Sequence, residues 1–304
     1  MTLTVLVPDE LGAAVLSRVD GVRPVRYRID QPLPDGAAAA EVLVPPFLVG
    51  SQALALVDAL PKLRLVQLLS AGAEAWVGRL PDGVALSTCR GAHGGVTAEW
   101  AVAVLLAVYR DLPAFRDAQC EGRWDYHYTD TLSGRRVLVV GAGDLGERIR
   151  RRLEPFDVSV TLVGRTSRDG VHGEDALPDL VGRHDAVILA VPLTSRTRGM
   201  ADAAFLARMP DGAVLVNAAR GPVVDTEALL AELRAGRLRA ALDVTDPEPL
   251  PAGHPLWSAP GLLLTPHVAA SCHGQRERAY AVAAEQISRF ARGAELENLV
   301  HGEY

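Results

Sequence analysis

A glycine-rich turn follows a short apolar run in the middle of the chain. The run Arg136–Val140 has the pattern of a buried strand and leads into Gly141-x-Gly143-x-x-Gly146, after which a helix-like segment begins. In such a turn the first glycine permits a tight bend, the second lets the backbone approach a pyrophosphate, and the third lets helix and strand pack closely. The N–H groups at the helix start would bind the phosphates. The pattern therefore predicts a dinucleotide-binding unit.

The end of the next predicted strand, Ser159–Val163, bears on the choice between NAD and NADP. An NAD site carries an Asp or Glu about 20 residues after the glycine motif, where it binds the ribose 2′-hydroxyl. This chain has Arg165, Thr166, Ser167 and Arg168 there instead. Two guanidiniums and two hydroxyls suit a 2′-phosphate. The segment favours NADP(H), with NAD(H) possible, and the alternative is an ordinary solvated basic turn.

Length, charge and residue usage exclude several classes of protein. The 304 residues suit two domains, and the net charge of −6 argues against a nucleic-acid or basic membrane surface. Cys89, Cys120 and Cys272 form no metal-ligand pattern, which predicts no metal and a reducing, cytoplasmic environment. We expect neither a signal peptide nor a membrane span. Lys62 is the only lysine, so a P-loop is excluded.

Strand-like apolar runs alternate with helix-like segments along the chain, which predicts an α/β fold with two parallel-sheet domains. In the first part the predicted strands are Leu3–Val7, Val22–Tyr27, Glu41–Val44, Leu63–Leu69 and Val84–Thr88, with a helix over Ser51–Leu60. Later strands are predicted at Arg136–Val140, Ser159–Val163, Asp185–Val191, Ala213–Asn217, Ala240–Val244 and Leu262–Thr265. This second series suggests a doubly wound Rossmann sheet.

Three further segments have recognisable patterns. Thr97–Tyr109 is apolar nearly all round, which predicts a helix buried between domains or subunits. Cys120–Tyr128 is irregular and aromatic, and it is either an ordinary connection or a dimer contact. The tail His273–Arg292 predicts a helix that returns to pack on the first domain. Its apolar stripe consists of Ala279, Val282, Ala283, Ile287 and Phe290.

Charged residues follow three neighbouring strands of the second series. Arg220 follows the fourth strand, Asp243 and Glu248 the fifth, and His267 the sixth. Ligands of an open parallel sheet bind beyond the carboxyl ends of its strands. Such a set suits carbonyl reduction: His267 would donate a proton, Glu248 would stabilise the imidazolium, and Arg220 would clamp a carboxylate or polarise the carbonyl.

Each of these residues alone also has an ordinary alternative. Arg220 could form a surface ion pair, Glu248 could be a solvated loop charge, and His267 could cap a strand end. Asp243 could be a helix N-cap or a turn former. It is their joint placement at one sheet edge that favours the catalytic interpretation.

Taken in order, these motifs closely resemble those of the D-isomer-specific 2-hydroxyacid dehydrogenases. The resemblance is carried by Leu132–Val137 with the glycine motif, Val191–Gly199, Val216–Asp225, Ala241–Pro249 and Leu263–His267, and more loosely by Leu69–Glu74 and Val96–Trp100. It covers essentially the whole chain. It implies a substrate-binding domain of residues 1–94 and 272–304, a Rossmann NAD(P)-binding domain of residues 95–271, and an active site in the cleft between them.

The resemblance also implies roles for individual residues. Arg220 corresponds to the substrate-binding arginine, and Glu248 and His267 to the acid–base pair. The loop Ser70, Ala71 and Gly72 corresponds to the one whose N–H groups hold the substrate carboxylate. The implied cofactor-binding residues are Gly141, Gly143, Asp144, Leu145, Gly146, Arg165, Thr166, Ser167, Arg168, Val191, Pro192, Ala218, Ala219, His267 and, at the nicotinamide carboxamide, Asp243.

Some positions depart from the family pattern. His93 stands six residues before Glu99, where many relatives carry an asparagine, and it could add a donor to the substrate pocket or point elsewhere. Formate dehydrogenases pair their histidine with glutamine, whereas Glu248 here favours proton transfer to a carbonyl.

We therefore expect a homodimeric, NADPH-preferring reductase that converts a small 2-keto acid, such as glyoxylate or hydroxypyruvate, to a D-2-hydroxy acid. Two alternatives stay open. One is a cofactor-sensing binding protein like the family's corepressors, and the other is a dehydrogenase of another small substrate such as phosphite.

Overall fold

The chain forms two compact units, each with its own sheet and its own core. A computed structural model describes residues 2–47 and 50–302. One unit comprises Met1–His93 together with His273–Tyr304, and the other comprises Gly94–Cys272. The first unit is therefore built from both ends of the chain, and the second unit is an insertion within it.

All strand pairs in the two sheets are parallel. The first unit contains β1 (Leu3–Val7), β2 (Val22–Arg26), β3 (Val42–Leu43), β4 (Leu65–Gln67) and β5 (Ala85–Ser87). The second unit contains β6 (Arg136–Val140), β7 (Ser159–Val163), β8 (Val171–His172), β9 (Ala186–Leu189), β10 (Val214–Asn217), β11 (Arg239–Leu242) and β12 (Leu262–Leu264). Every predicted strand is present, and among the strands of the described residues only the two-residue β8 was not predicted.

The helices occupy the connections between strands. The α-helices are α1 (Glu10–Leu16), α2 (Gly94–Tyr109), α3 (Leu112–Cys120), α4 (Asp144–Leu153), α5 (Leu177–Val181), α6 (Ala203–Arg208), α7 (Thr226–Arg234) and α8 (Gln275–Ala291). Short 3₁₀ helices lie at Ala37–Ala39, Glu154–Phe156, Glu174–Ala176, Gly221–Val223 and Pro255–Ser258. A longer one, Gly50–Ala59, stands where an α-helix was predicted over Ser51–Leu60.

The sheet of the first unit has the strand order β2-β1-β3-β4-β5, which is the flavodoxin-like order. Alternate side chains of β1 enter two cores. Val5 and Val7 face one core and Leu6 faces the other. Helix α8 completes the first of these cores, because Ala283 and Ile287 are fully buried in it. The prediction that the tail packs on the first part of the chain is confirmed.

The sheet of the second unit has the order β12-β11-β10-β9-β6-β7-β8, which is the doubly wound Rossmann order with one added edge strand. Leu138 and Val140 of β6 enter the core covered by α5, α6 and α7. Val137 and Val139 enter the opposite core, which is covered by α2 and α4. Burial on both faces explains why these strands read as continuous apolar runs.

Helix α2 owes its apolar character to the core of the second unit itself. Ala98, Ala101 and Leu105 are fully buried there, and they pack with the sheet residues Val137 and Val139. Burial within the second unit therefore accounts for the apolar composition of α2, and its position between domains or subunits stays a prediction. In the aromatic segment that follows α3, Trp124, Tyr126 and Tyr128 are exposed.

No helix in residues 2–47 and 50–302 combines the length and the apolarity that a bilayer span requires.

Replacing Ile287 by alanine tests the packing of α8 on the first unit. Because Ile287 is fully buried, the change should lower the free energy of unfolding by about 2–5 kcal/mol. The exposed Glu285, on the same helix, is the matched control, and Glu285→Ala should change stability by no more than about 0.5 kcal/mol. Urea unfolding measures both, and equal effects would contradict the assigned packing.

Candidate active site

The glycine turn after β6 has the geometry that the sequence motif predicts. Gly141 has a φ of 114°, and a Cβ there would lie 2.3 Å from the Ala190 carbonyl oxygen. A Cβ on Gly146 would lie 1.8 Å from the Gly141 carbonyl oxygen, so the helix packs directly on the turn. Gly143 caps the N-terminus of α4, and a Cβ on it would meet no other atom within 4 Å. The backbone at the helix start is thus open to a pyrophosphate.

The basic turn after β7 is attached to this glycine turn. Arg168 donates a hydrogen bond from Nη2 to the Ala142 carbonyl oxygen at 2.6 Å. Its backbone N–H bonds the Val171 carbonyl oxygen at 3.0 Å, which closes the turn. Arg165, Thr166, Ser167 and Arg168 are all exposed. Two exposed arginines therefore lie in the turn beside the dinucleotide turn, and a backbone contact holds Arg168 there.

The other predicted cofactor residues follow strands that neighbour β6. Asp144 and Leu145 begin α4, and Asp144 pairs with Arg148 at 2.7 Å. Val191 and Pro192 follow β9, and Ala218 and Ala219 follow β10. Since β6, β9 and β10 are adjacent and parallel, their carboxyl ends share one edge of the sheet.

Glu248 and His267 meet at the same edge, beyond β11 and β12. His267 Nδ1 donates to Glu248 Oε1 at 2.5 Å, and both side chains are 39% exposed. Nε2 of His267 makes no hydrogen bond within residues 2–47 and 50–302. The carboxylate thus orients the ring, and Nε2 is the nitrogen that can act on a ligand.

Asp243 holds the turn that carries His267. Its buried carboxylate accepts hydrogen bonds from Thr265 Oγ1 at 2.6 Å, Val268 N at 2.8 Å and Ala269 N at 2.9 Å. His267 has a φ of 53°, a left-handed conformation that is uncommon for a residue with a side chain. The surrounding hydrogen bonds stabilise that conformation. Asp243 is therefore a positioning residue for His267, and its contact with the cofactor stays a prediction.

Arg220 is positioned by Asn217, a residue that the sequence analysis did not assign a role. The Asn217 amide donates to the Arg220 carbonyl oxygen at 2.9 Å, and its Oδ1 accepts from Ala219 N at 3.0 Å. Arg220 Nη1 also donates to the Ala219 carbonyl oxygen at 2.7 Å. The signal was present in the sequence, since a polar residue ends an otherwise apolar strand. Because β10, β11 and β12 are adjacent, Arg220 lies at the edge that carries Glu248 and His267.

A cavity of about 290 Å³ lies beside the Glu248–His267 pair. Leu250, Leu264 and Trp257 contribute apolar wall, while the paired carboxylate and imidazole contribute polar groups. An apolar pocket with a few convergent polar groups is typical of small-molecule sites.

In the first unit, the loop after β4 is held by its own hydrogen bonds. Ser70 Oγ donates to the Gly72 carbonyl oxygen at 2.7 Å, and the Ser70 carbonyl oxygen accepts from Cys89 N at 2.8 Å. The buried Gln67 amide donates to the carbonyl oxygens of Leu68 and Thr88, at 2.9 and 3.1 Å. Gln67 is a supporting residue that was not predicted, although it ends an otherwise apolar strand in the same way as Asn217 does.

His93 lies against this loop. Its Nε2 is 2.8 Å from the Leu69 carbonyl oxygen, and its ring packs edge-on against Phe47. Burial lowers the pKa of His93, so the ring is neutral near pH 7. A carbonyl oxygen can only accept, so the single N–H of the neutral ring is used on Leu69. His93 therefore supports the loop, and a role as an extra donor to the substrate would require its protonation.

Comparison with known proteins assigns the family. Residues 102–269 match the model of the D-isomer specific 2-hydroxyacid dehydrogenase NAD-binding domain. A glyoxylate reductase of Thermofilum pendens is 32% identical over 265 residues, which are 81% of this chain and 77% of that protein. The chain belongs to the D-isomer-specific 2-hydroxyacid dehydrogenase family. The resemblance inferred from the motifs is confirmed.

Two further relatives extend the comparison. The human glyoxylate reductase/hydroxypyruvate reductase is 34% identical over 213 residues, which span 65% of this chain and 64% of the human protein. The crystal structure of a D-isomer specific 2-hydroxyacid dehydrogenase from Xanthobacter autotrophicus Py2 superimposes with a TM-score of 0.83. It shares 33% identity and covers 99% of this chain and 98% of that one. The predicted fold class, α/β with two parallel sheets, is likewise confirmed.

Two alanine variants of the glycine turn separate folding from cofactor binding in this dehydrogenase. Gly146→Ala places a Cβ 1.8 Å from a carbonyl oxygen, so it should destabilise the second unit and weaken nucleotide binding together. Gly143→Ala meets no protein atom, so the thermal transition should stay near that of the wild type while NADPH and NADH binding falls about tenfold or more.

Fluorescence titration with NADPH and thermal unfolding measure the two effects. Unchanged nucleotide binding in Gly143→Ala would contradict the assignment of the turn.

Proposed function

We propose that this dehydrogenase reduces a small 2-keto acid to the D-2-hydroxy acid and prefers NADPH. The observation that carries the proposal is the hydrogen bond from His267 Nδ1 to Glu248, which leaves Nε2 as a proton donor at the sheet edge that also carries Arg220. Glyoxylate and hydroxypyruvate are the proposed substrates, because the human and Thermofilum pendens relatives carry those names.

The nicotinamide cofactor, when bound, supplies the hydride. The residues of this chain supply binding, orientation and the proton. Arg220 binds the substrate carboxylate through its planar donor pair or polarises the carbonyl. His267 Nε2 gives its proton to the carbonyl oxygen as negative charge develops there, and Glu248 holds the ring and stabilises the imidazolium that donates this proton. Asp243 keeps the turn of His267 fixed, so the donor does not need to be reordered in each cycle.

The proposal includes two further predictions, one on a substrate-binding loop and one on the oligomeric state. The loop of Ser70, Ala71 and Gly72 binds the substrate carboxylate through its backbone. The protein acts as a homodimer, and the exposed Trp124, Tyr126 and Tyr128 offer an apolar surface for self-association.

The preference for NADPH rests on the basic turn. Arg165 and Arg168 are exposed beside the glycine turn and suit a 2′-phosphate. The relative from Xanthobacter autotrophicus, 33% identical, was crystallised in complex with NADPH.

Replacing His267 by glutamine tests the proton donor. Turnover of glyoxylate should fall about 10²- to 10⁴-fold, because general acid catalysis is lost, while the dissociation constant of NADPH changes little. Steady-state absorbance at 340 nm and NADPH titration provide the two readings. The exposed His301 is the control, and His301→Gln should keep full turnover.

Comparable turnover in His267→Gln would remove this residue from the mechanism. If the wild type binds NADPH tightly but reduces no 2-keto acid, the reductase proposal fails and a cofactor sensor becomes the better interpretation.

Separate replacement of the two arginines tests the cofactor preference. Arg165→Gln should raise the KM for NADPH about tenfold and leave the KM for NADH unchanged, because only NADPH carries the 2′-phosphate. Arg168→Gln should weaken both cofactors, because Arg168 also bonds the Ala142 carbonyl oxygen. Equal KM values for the two cofactors in the wild type would refute the phosphate site without affecting the enzyme class.

A further inference from the structure

A short ribbon of residues after α3, residues 123–129, turns three aromatic side chains out to solvent. Trp124, Tyr126 and Tyr128 are 96%, 77% and 92% exposed. The residues between them are polar, and two of those, His127 and Thr129, are half-buried. Aromatic side chains exposed to this extent need a backbone that is held in place from its other side.

His127 attaches this aromatic ribbon to the body of the second unit. Its Nε2 lies 3.0 Å from Oδ2 of Asp111, in the junction between α2 and α3. Its ring stacks on Phe115 of α3, with the centroids 4.5 Å apart and 16° between the planes. Within the described part of the chain, residues 124–128 make no backbone hydrogen bond, and no other side chain among them hydrogen-bonds outside the ribbon. The attachment of this stretch by hydrogen bonds therefore depends on one imidazole.

The contacts of His127 require a doubly protonated ring. Nδ1 faces Oδ1 of Asp125 at 3.3 Å, while Nε2 faces Asp111. An ionised carboxylate only accepts hydrogen bonds, so both ring nitrogens must carry a proton, and only the imidazolium has two N–H groups. The face of the Phe115 ring also favours a cation.

The charged groups around His127 act in the same direction. Hydrogen bonds to Asp125 and Asp111 raise the pKa of His127 above its ordinary value of 6.5. The hydrogen bond from His127 in turn lowers the pKa of Asp125. Asp125 also accepts from Arg123 Nη1 at 3.4 Å, and Arg123 Nε donates to Glu121 at 2.6 Å. The element that packs on the ring, α3, contributes the uncharged Phe115.

We propose that His127 is a pH-dependent latch, which fastens the aromatic ribbon to the α2–α3 junction when both ring nitrogens are protonated and releases it when one proton is lost. A neutral imidazole has a single N–H, so in either tautomer a nitrogen lone pair would face a carboxylate. Since the folded protein raises the pKa of His127, the latch is closed below about pH 6.5 and opens as the pH rises through the raised pKa.

The first test is the titration of His127 in the full chain, followed by NMR of the ring protons. His127→Gln identifies the signal by its loss. The wild type should titrate above 6.5, and Asp111→Asn or Asp125→Asn should each lower that pKa. The exposed Asp117 of α3 is the matched control, and Asp117→Asn should leave the pKa unchanged. A wild-type pKa at or below 6.5 would overturn the latch.

The second test measures release of the ribbon through chymotrypsin cleavage after Trp124, Tyr126 and Tyr128, with the fragments identified by mass spectrometry. At about pH 6 the wild type should be cleaved there about 2- to 5-fold more slowly than His127→Gln, the size expected for exposed ion pairs. The two rates should converge once the pH exceeds the pKa of His127. Comparing the two proteins at each pH removes the pH dependence of the protease itself.

His127→Arg keeps a planar cation at every pH, so its ribbon should stay protected where that of the wild type is released. Equal cleavage of the wild type and His127→Gln at about pH 6 would overturn the proposal.

The latch has a consequence for self-association, and this consequence rests on the proposed homodimer. If the ribbon forms the dimer surface, its release should raise the dimer dissociation constant of the wild type with pH and leave that of His127→Gln constant. Sedimentation equilibrium measures both. A monomer at every pH whose ribbon cleavage still follows His127 would contradict the homodimer and leave the latch in place. A dimer whose cleavage is the same in the wild type and His127→Gln would overturn the latch alone.

Discussion

The Asp243 carboxylate is the interaction on which the candidate active site depends. It is buried, and it accepts hydrogen bonds from Thr265, Val268 and Ala269 on the turn that carries His267. A buried carboxylate must be bonded, and a residue with a side chain in the left-handed region must be held by its surroundings. The Asp243 side chain meets both requirements. The sheet therefore fixes the position of His267, because Asp243 directly follows β11, and β11 lies beside β12.

Parallel strands then place the remaining groups at that edge. β10, β11 and β12 are adjacent, so the segments that carry Arg220, Glu248 and His267 leave the sheet on the same side. Asn217 and Asp243 perform equivalent tasks on neighbouring strands, since each bonds to the backbone that presents a charged side chain. The dinucleotide turn follows β6 on the same side, and its close helix contact at Gly146 admits only glycine.

The strands could be predicted because they are apolar runs in the sequence. Contacts between residues that lie far apart in the sequence could not be predicted. β8 was missed because it has two residues, of which His172 is exposed. The Asp243 bonds to the 265–269 turn join residues more than 20 positions apart, which no local pattern reveals.

The discontinuity of the first unit has a consequence for synthesis. The core that contains β1 also contains α8, and the two segments are separated along the chain by the whole of the second unit. During translation, residues 94–272 are complete before α8 has left the ribosome, so the inserted unit can fold while the unit that encloses it in sequence still lacks one wall of its core. The core around β1 therefore cannot be completed until α8 has been synthesised, and the partly made first unit exposes apolar surface during that interval.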